Sequence, residues 1–156
     1  VDVQGALGEA AASVTGGSSV LHTRLVDGEV PAYRAVLPQN FRRRVVVNRS
    51  AFRAALRRVA LEAIDQASTI RMSVADDEVL ITARGIDHGE AKHPVPMVFE
   101  GDPIEMGFNV RYFLEVVNCI DEEELVLELG EPLSPCMVRA PSDEDSLFII
   151  MPIRLD

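Results

Sequence analysis

From Arg42 onward the apolar residues change period twice, from about two to about 3.6 and back, and this alternation restricts the fold more than any other feature of the chain. Residues 44–48 are a β-branched run with strand character. Asn48 and Ser50 then offer capping side chains for a helix that the spacing carries to about Ile64. On that helix Phe52, Ala55, Leu56, Val59 and Ala63 recur on one face, and Arg53, Arg57, Arg58 and Leu61 fall on the other. Two strands follow at 69–74 and 79–83, joined by a turn at 75–78. A third, at 91–99, contains Pro94 and Pro96 and so reads as an edge or bulged strand. The order then repeats. Residues 104–108 lead into Asn109, which caps a second helix running to about Ile120, with Phe113, Leu114 and Val117 inward and Arg111 and Glu115 as an exposed i,i+4 pair. Strands at 125–129, 136–139 and 147–153 close the chain. The pattern predicts an α+β unit: a doubled strand-helix-strands motif with two helices packed on antiparallel sheets. The two halves share their order but no residue-level similarity.

The first forty residues read differently. Residues 7–15 are ambiguous between helix and strand, Gly16-Gly17 is a turn signal, and 19–26 has strand character, so a hairpin is expected here. Residues 27–41, with Pro31 and Pro38, read as a connector. An isolated pair of strands is not stable in water, so residues 1–28 are expected to finish a domain that begins upstream. The opening Val1-Asp2-Val3-Gln4 has neither the basic region nor the apolar stretch of a signal peptide. The apolar runs at 45–47 and 147–150 fall far short of a membrane span. Cys119 and Cys136 read as reduced core thiols, which points to a cytoplasmic protein.

No catalytic constellation emerges. The chain lacks a Gly-x-Ser-x-Gly elbow, a glycine-rich phosphate loop ahead of a lysine, and a Cys-x-x-Cys pair. His88 and His93, with Asp87 and Glu90, are the nearest approach to a metal cluster, but their spacing matches no standard zinc pattern. The acidic runs 121–124 and 143–145 are typical of solvated turns. The expectation is a protein with no enzymatic activity, no metal and no cofactor. The net charge of −10 argues at first against nucleic acid, because duplex DNA is held by neutralising its phosphates. Distribution matters more than the sum. Arg42, Arg43, Arg44, Arg49, Arg53, Arg57 and Arg58 are seven of the 15 basic residues and lie within one acid-free stretch. The other 139 residues carry 8 basic and 25 acidic side chains, a balance of −17. A solvated Arg-rich helix and a basic binding face both fit that distribution.

Three stretches resemble one family. Residues 21–38, Leu-His-Thr-Arg-Leu-Val-Asp-Gly-Glu-Val-Pro-Ala-Tyr-Arg-Ala-Val-Leu-Pro, are similar to the linker between the second and third domains of the bacterial DNA sliding clamp, the β subunit of DNA polymerase III. Residues 104–114, Ile-Glu-Met-Gly-Phe-Asn-Val-Arg-Tyr-Phe-Leu, resemble that family's approach to its last helix. The ending Met151-Pro-Ile-Arg-Leu155 resembles its C-terminal tail. The resemblance implies a DNA-clamp domain at 35–156, preceded at 1–34 by the end of the middle clamp domain and the linker. It implies a processivity factor: a head-to-tail homodimeric ring around duplex DNA that tethers polymerase, clamp loader and repair proteins by short linear motifs. Arg53 and Arg57 would face DNA. Pro31, Val36, Asn109, Tyr112, Pro135, Ile149, Met151, Pro152, Ile153, Arg154 and Leu155 would line the peptide groove, Ile149 also serving the core of the last strand. Arg58, Leu61 and Glu62 would stand at the dimer contact, with Glu62 in place of the family's usual apolar residue. Ala35 replaces a basic residue common before Val36. The alternative is a clamp-like interaction domain or paralogue with no DNA-encircling role.

Overall fold

The structure, a computed structural model, describes residues 2–4, 11–16, 18–24, 41–63, 68–85, 89–143 and 146–155. The chain divides into two compact units, Val1–Arg34 and Ala35–Asp156. The first holds β1 (Asp2–Gln4), β2 (Ala11–Gly16) and β3 (Ser19–Arg24), an antiparallel sheet in which Gly16 pairs with Ser19 across the expected hairpin.

The second unit contains β4 (Arg43–Asn48), α1 (Arg49–Glu62), β5 (Thr69–Ala75), β6 (Glu78–Gly85), β7 (Gly89–Glu100), β8 (Ile104–Asn109), α2 (Val110–Cys119), β9 (Glu124–Leu129), β10 (Cys136–Arg139) and β11 (Phe148–Ile150). Its strands pair antiparallel in the order β11-β10-β9-β4-β7-β6-β5-β8. The doubled motif is visible in that order. Each half ends in a three-stranded meander, and the strand opening each half pairs with the first meander strand of the other: β4 with β9, and β8 with β5.

Asn48 and Asn109 cap the two helices as expected. Asn48 Oδ1 accepts from Ala51 N at 3.0 Å, and Asn109 Oδ1 accepts from Arg111 N at 2.9 Å. Each such cap is worth about 1 kcal/mol. The α1 stripe Phe52, Ala55, Leu56, Val59 and Ala63 is buried against the sheet and α2. Phe113 of α2 sits between Phe52 and Phe108, edge-to-face with both, at 5.7 and 5.0 Å between ring centroids. Val117 is buried and Leu114 half-buried, while Arg111 and Glu115 are exposed.

Four expectations need correcting. β7 is an edge strand only in part: Gly89–Pro96, which hold both prolines, pair with β6 alone, and Met97–Glu100 pair with β4. The prolines are tolerated for a local reason. Met97 N donates to Asp77 O on the β6 side at 2.9 Å, so by alternation the nitrogens of Pro94 and Pro96 point the opposite way, where the pairing with β4 has ended at Met97 and no ladder bond is lost. The last strand stops at Ile150 rather than Ile153, because the chain must leave β10 to reach β8. Cys119 is exposed, and only Cys136 is a core thiol. Arg53, placed by its spacing on the solvent side of α1, is half-buried.

Candidate functional site

The seven clustered arginines separate in space. Arg42 pairs with Glu131 at 3.2 Å. Arg43 donates from Nε to Asp102 O at 2.7 Å and from Nη1 to Gly130 O at 2.6 Å, holding two loops together. Arg44 lies across from Glu100 on one side and Glu128 on the other. Arg44 stands beside those acids by register alone, whereas Arg42 and Arg43 are held by partners. Among the described residues none of the α1 arginines Arg53, Arg57 and Arg58 forms an ion pair. Arg57 and Arg58 are exposed, and the Nε atoms of Arg49 and Arg53 are enclosed without a hydrogen-bond partner. Arg49 Nη1 reaches Val117 O near the end of α2 at 3.5 Å. Basic residues near a helix N-terminus oppose its dipole, and α1 carries no acid in its first turn and no base in its last. Its charge is therefore not arranged to stabilise the helix. Further along α1, Leu61 is 72% exposed and Glu62 half-buried beside it.

The second region is built by the C-terminal tail. After β11 the chain turns across to β8, where Ile153 N donates to Gly107 O at 2.7 Å in an isolated antiparallel bridge. Ile153, Arg154 and Leu155 thereby share a cavity of about 250 Å³ with Glu105, Met106, Gly107, Pro132 and Leu133. Asn109 lies two residues beyond Gly107 on the same strand, and Tyr112, 55% exposed, is on the first turn of α2. Met151 is 56% exposed, Arg154 is exposed, and Pro152 and Leu155 are half-buried. Ile149, half-buried, faces Met137 across the ladder. Cys136 faces Ile150, so Pro135 and Met151 are the residues next beyond that pair. Asn109, Tyr112, Pro135, Ile149, Met151 and Pro152 are not among the residues lining the cavity, and Pro31 and Val36 lie outside the described residues.

Leu133 was not singled out in the sequence. It is 54% exposed in the loop before β10, and the available signal was a leucine between Pro132 and Pro135 in a stretch with no strand period. Glu105 in the cavity wall is already engaged, by Arg71 Nη1 at 2.8 Å and Ser73 Oγ at 3.1 Å. A larger concavity, about 440 Å³, opens beside the turn Asp76, Asp77 and Glu78. Its polar wall is the carboxylates of a solvated turn. Among the described residues no three His, Cys, Asp or Glu side chains are arranged to hold a metal ion, and no helix is long and apolar enough to cross a membrane. Asp87 and His88 fall outside those residues.

Residues 34–154 match the family model of the DNA polymerase III beta subunit, C-terminal domain. The beta sliding clamp of Vibrio cholerae is 33% identical over 87% of this chain, and that of Haemophilus influenzae 32% over 88%. The chain spans only 37% and 38% of those relatives' lengths. Among solved structures, the Pseudomonas aeruginosa sliding clamp bound to griselimycin superposes with a TM-score of 0.90 at 32% identity, covering 96% of this chain and 40% of that one. The Thermotoga maritima beta subunit gives 0.92 at 27% identity, covering 99% and 41%.

Proposed function

This chain belongs to the family of the DNA polymerase III beta subunit, to whose C-terminal domain residues 34–154 correspond, and from that membership we propose that it serves, without catalysis, as the third domain of a DNA sliding clamp. Residues 1–34 complete the middle domain and its linker. The whole protein is a processivity factor, a homodimeric ring around duplex DNA that tethers polymerase, clamp loader and repair proteins in the cytoplasm. The observation that carries this reading is the bridge that ties the tail to β8 and sets exposed Ile153 in one cavity with exposed Leu133; Tyr112 on the first turn of α2 and Met151 at the head of the tail are exposed as well. The same unit buries more than two dozen other apolar side chains and, among its described residues, also exposes Leu61, Val98 and Leu147.

Each part has a proposed role. The tail and the Leu133 loop form one wall of a groove for short linear motifs, and Met151 lets it adapt to varied partners. Asn109, Tyr112, Pro135, Ile149, Pro152, Arg154 and Leu155 extend that wall; the family resemblance adds Pro31 and Val36, which lie outside the described residues. Exposed Arg57, with half-buried Arg53 on the same helix, gives α1 sequence-independent contacts to phosphate, which a sliding ring needs. Arg58, Leu61 and Glu62 meet the neighbouring subunit.

Energetics set what this chain can do alone. Full burial of one such apolar side chain is worth roughly 1.5–3 kcal/mol. Tyr112, Leu133, Met151 and Ile153, each about half buried already, would gain about 4 kcal/mol together. Association costs about 4–15 kcal/mol, so apolar burial on this wall cannot by itself hold a ligand tightly. Griselimycin, which the Pseudomonas aeruginosa and Bartonella birtlesii clamps bind, is the probe. Calorimetric titration should give weak binding that Met151→Asp abolishes. Nanomolar affinity would overturn the view that the chain holds part of a groove, and absence of binding at high concentration would overturn the groove itself. The ring is tested by loading an assembly containing this domain onto nicked circular DNA. Retention that survives linearisation would reject it.

A further inference from the structure

We infer that Gly107 is a positioning residue: the absence of its side chain seats the C-terminal tail on β8 and so sets the tail's wall of the groove. The inference rests on the groove reading for its binding consequence but on geometry alone for the seat.

The doubled motif shows what is unusual at this position. Counted back from the capping asparagines, Gly107 stands before Asn109 as Val46 stands before Asn48. Val46 pairs with Val98 inside a four-pair ladder between β4 and β7. The corresponding contact in the second half is the bridge of Gly107 to Ile153, flanked by no further paired residues. The first half therefore holds its returning strand with a ladder, and the second holds its tail at one point. Close approach replaces length. A Cβ built on Gly107 would lie 2.6 Å from Ile153 O and 2.7 Å from Leu155 Cδ2. The leucine could rotate away, but the carbonyl is backbone and cannot move without lifting the bridge. The conformation of Gly107 is ordinary, so the demand is for space and not for a left-handed φ.

Any side chain at 107 should thus release Ile153, Arg154 and Leu155 while leaving the buried faces of Met106 and Phe108 in place. Two substitutions separate this role from a general packing defect. Ile153→Pro removes the donated N–H and lifts the tail independently. Gly107→Ala and Ile153→Pro should each accelerate amide exchange in the tail, lower the melting temperature and weaken griselimycin about tenfold, on the scale of one lost hydrogen bond and its contacts. The double variant should be no worse than the more damaging single one, because a lifted tail no longer meets the new methyl. Additive losses in melting temperature would overturn the inference. If Gly107→Ala alone does not fold, folding of the double variant supports the seat, and failure of both overturns it. If griselimycin affinity is unchanged while the melting temperatures are non-additive, the seat stands and the groove reading falls.

Discussion

Replacing Phe113 with alanine should be the most damaging single change to the second unit that leaves every proposed contact residue intact. The ring is fully buried and meets Phe52 of α1 at 83° and Phe108 of β8 at 87°. Truncating a buried Phe costs about 3–5 kcal/mol through lost transfer energy and the cavity left behind. Two edge-to-face contacts, each worth about 0.5–1.5 kcal/mol beyond buried area, place this site at the upper end, about 4–5 kcal/mol. Domains have about 5–15 kcal/mol in total, so Phe113→Ala should sit near the edge of folding. Phe113→Leu, which retains most of the volume, should cost about 1.5 kcal/mol. Urea unfolding followed by circular dichroism reads both, provided that m is unchanged. A double cycle of Phe52→Leu with Phe113→Leu should give a coupling of about 0.5–1.5 kcal/mol. The functional consequence follows from position: Phe113 adjoins Tyr112, and Phe108 lies between Gly107 and Asn109. A loss below about 2 kcal/mol for Phe113→Ala would refute the view that one shared core fixes both the basic helix and the start of α2.

Asn48→Ala and Asn109→Ala should each destabilise by about 1 kcal/mol, seen as a shift in urea midpoint, since each removes one capping bond. Leu61→Asp should shift the assembled ring toward monomer in sedimentation, and an unchanged dimer would reject that contact. Cys119 should react with a thiol reagent in the native protein and Cys136 only on unfolding. Burial, and secondarily the Glu128 carboxylate, push the Cys136 thiol far above its ordinary value. The folded state thus keeps a proton that the unfolded state releases, so stability is full below about pH 8.5 and declines above it. Cys136→Ala should flatten that decline in urea titrations between about pH 7 and 10.

What the sequence made legible was whatever depends on local period and local chemistry. The α1 stripe, both asparagine caps and the hairpin at Gly16 follow from spacing and residue type within a few positions. Arg53 marks where that stops. A helical wheel can place it opposite Phe52, but α1 lies against a second helix, and its Nε is enclosed by neighbours that no wheel contains. Cys119 fails for the converse reason: thiols are commonly buried, yet the end of α2 turns this one outward. Leu133 has no period to betray it, because its loop carries none.

The strand expected at 147–153 shows how a correct residue pattern can hide a change of partner. Phe148, Ile149 and Ile150 pair with β10, and Ile153 pairs with β8 at the far edge of the sheet. Both segments are extended and apolar, so periodicity merges them. β7 makes the same transfer from β6 to β4 without interruption, because twelve residues give it length for both ladders. The tail has only Met151 and Pro152 in which to cross, and Pro152 has no N–H to commit to either side. The crossing therefore leaves Met151 outward and makes the Gly107 bridge the tail's last fixed point. A tail that closes the sheet by a single bridge holds apolar side chains at the surface while keeping them ordered. Lengthening that bridge into a ladder would hold the tail more firmly, but it would commit to the sheet the edge that now faces the cavity.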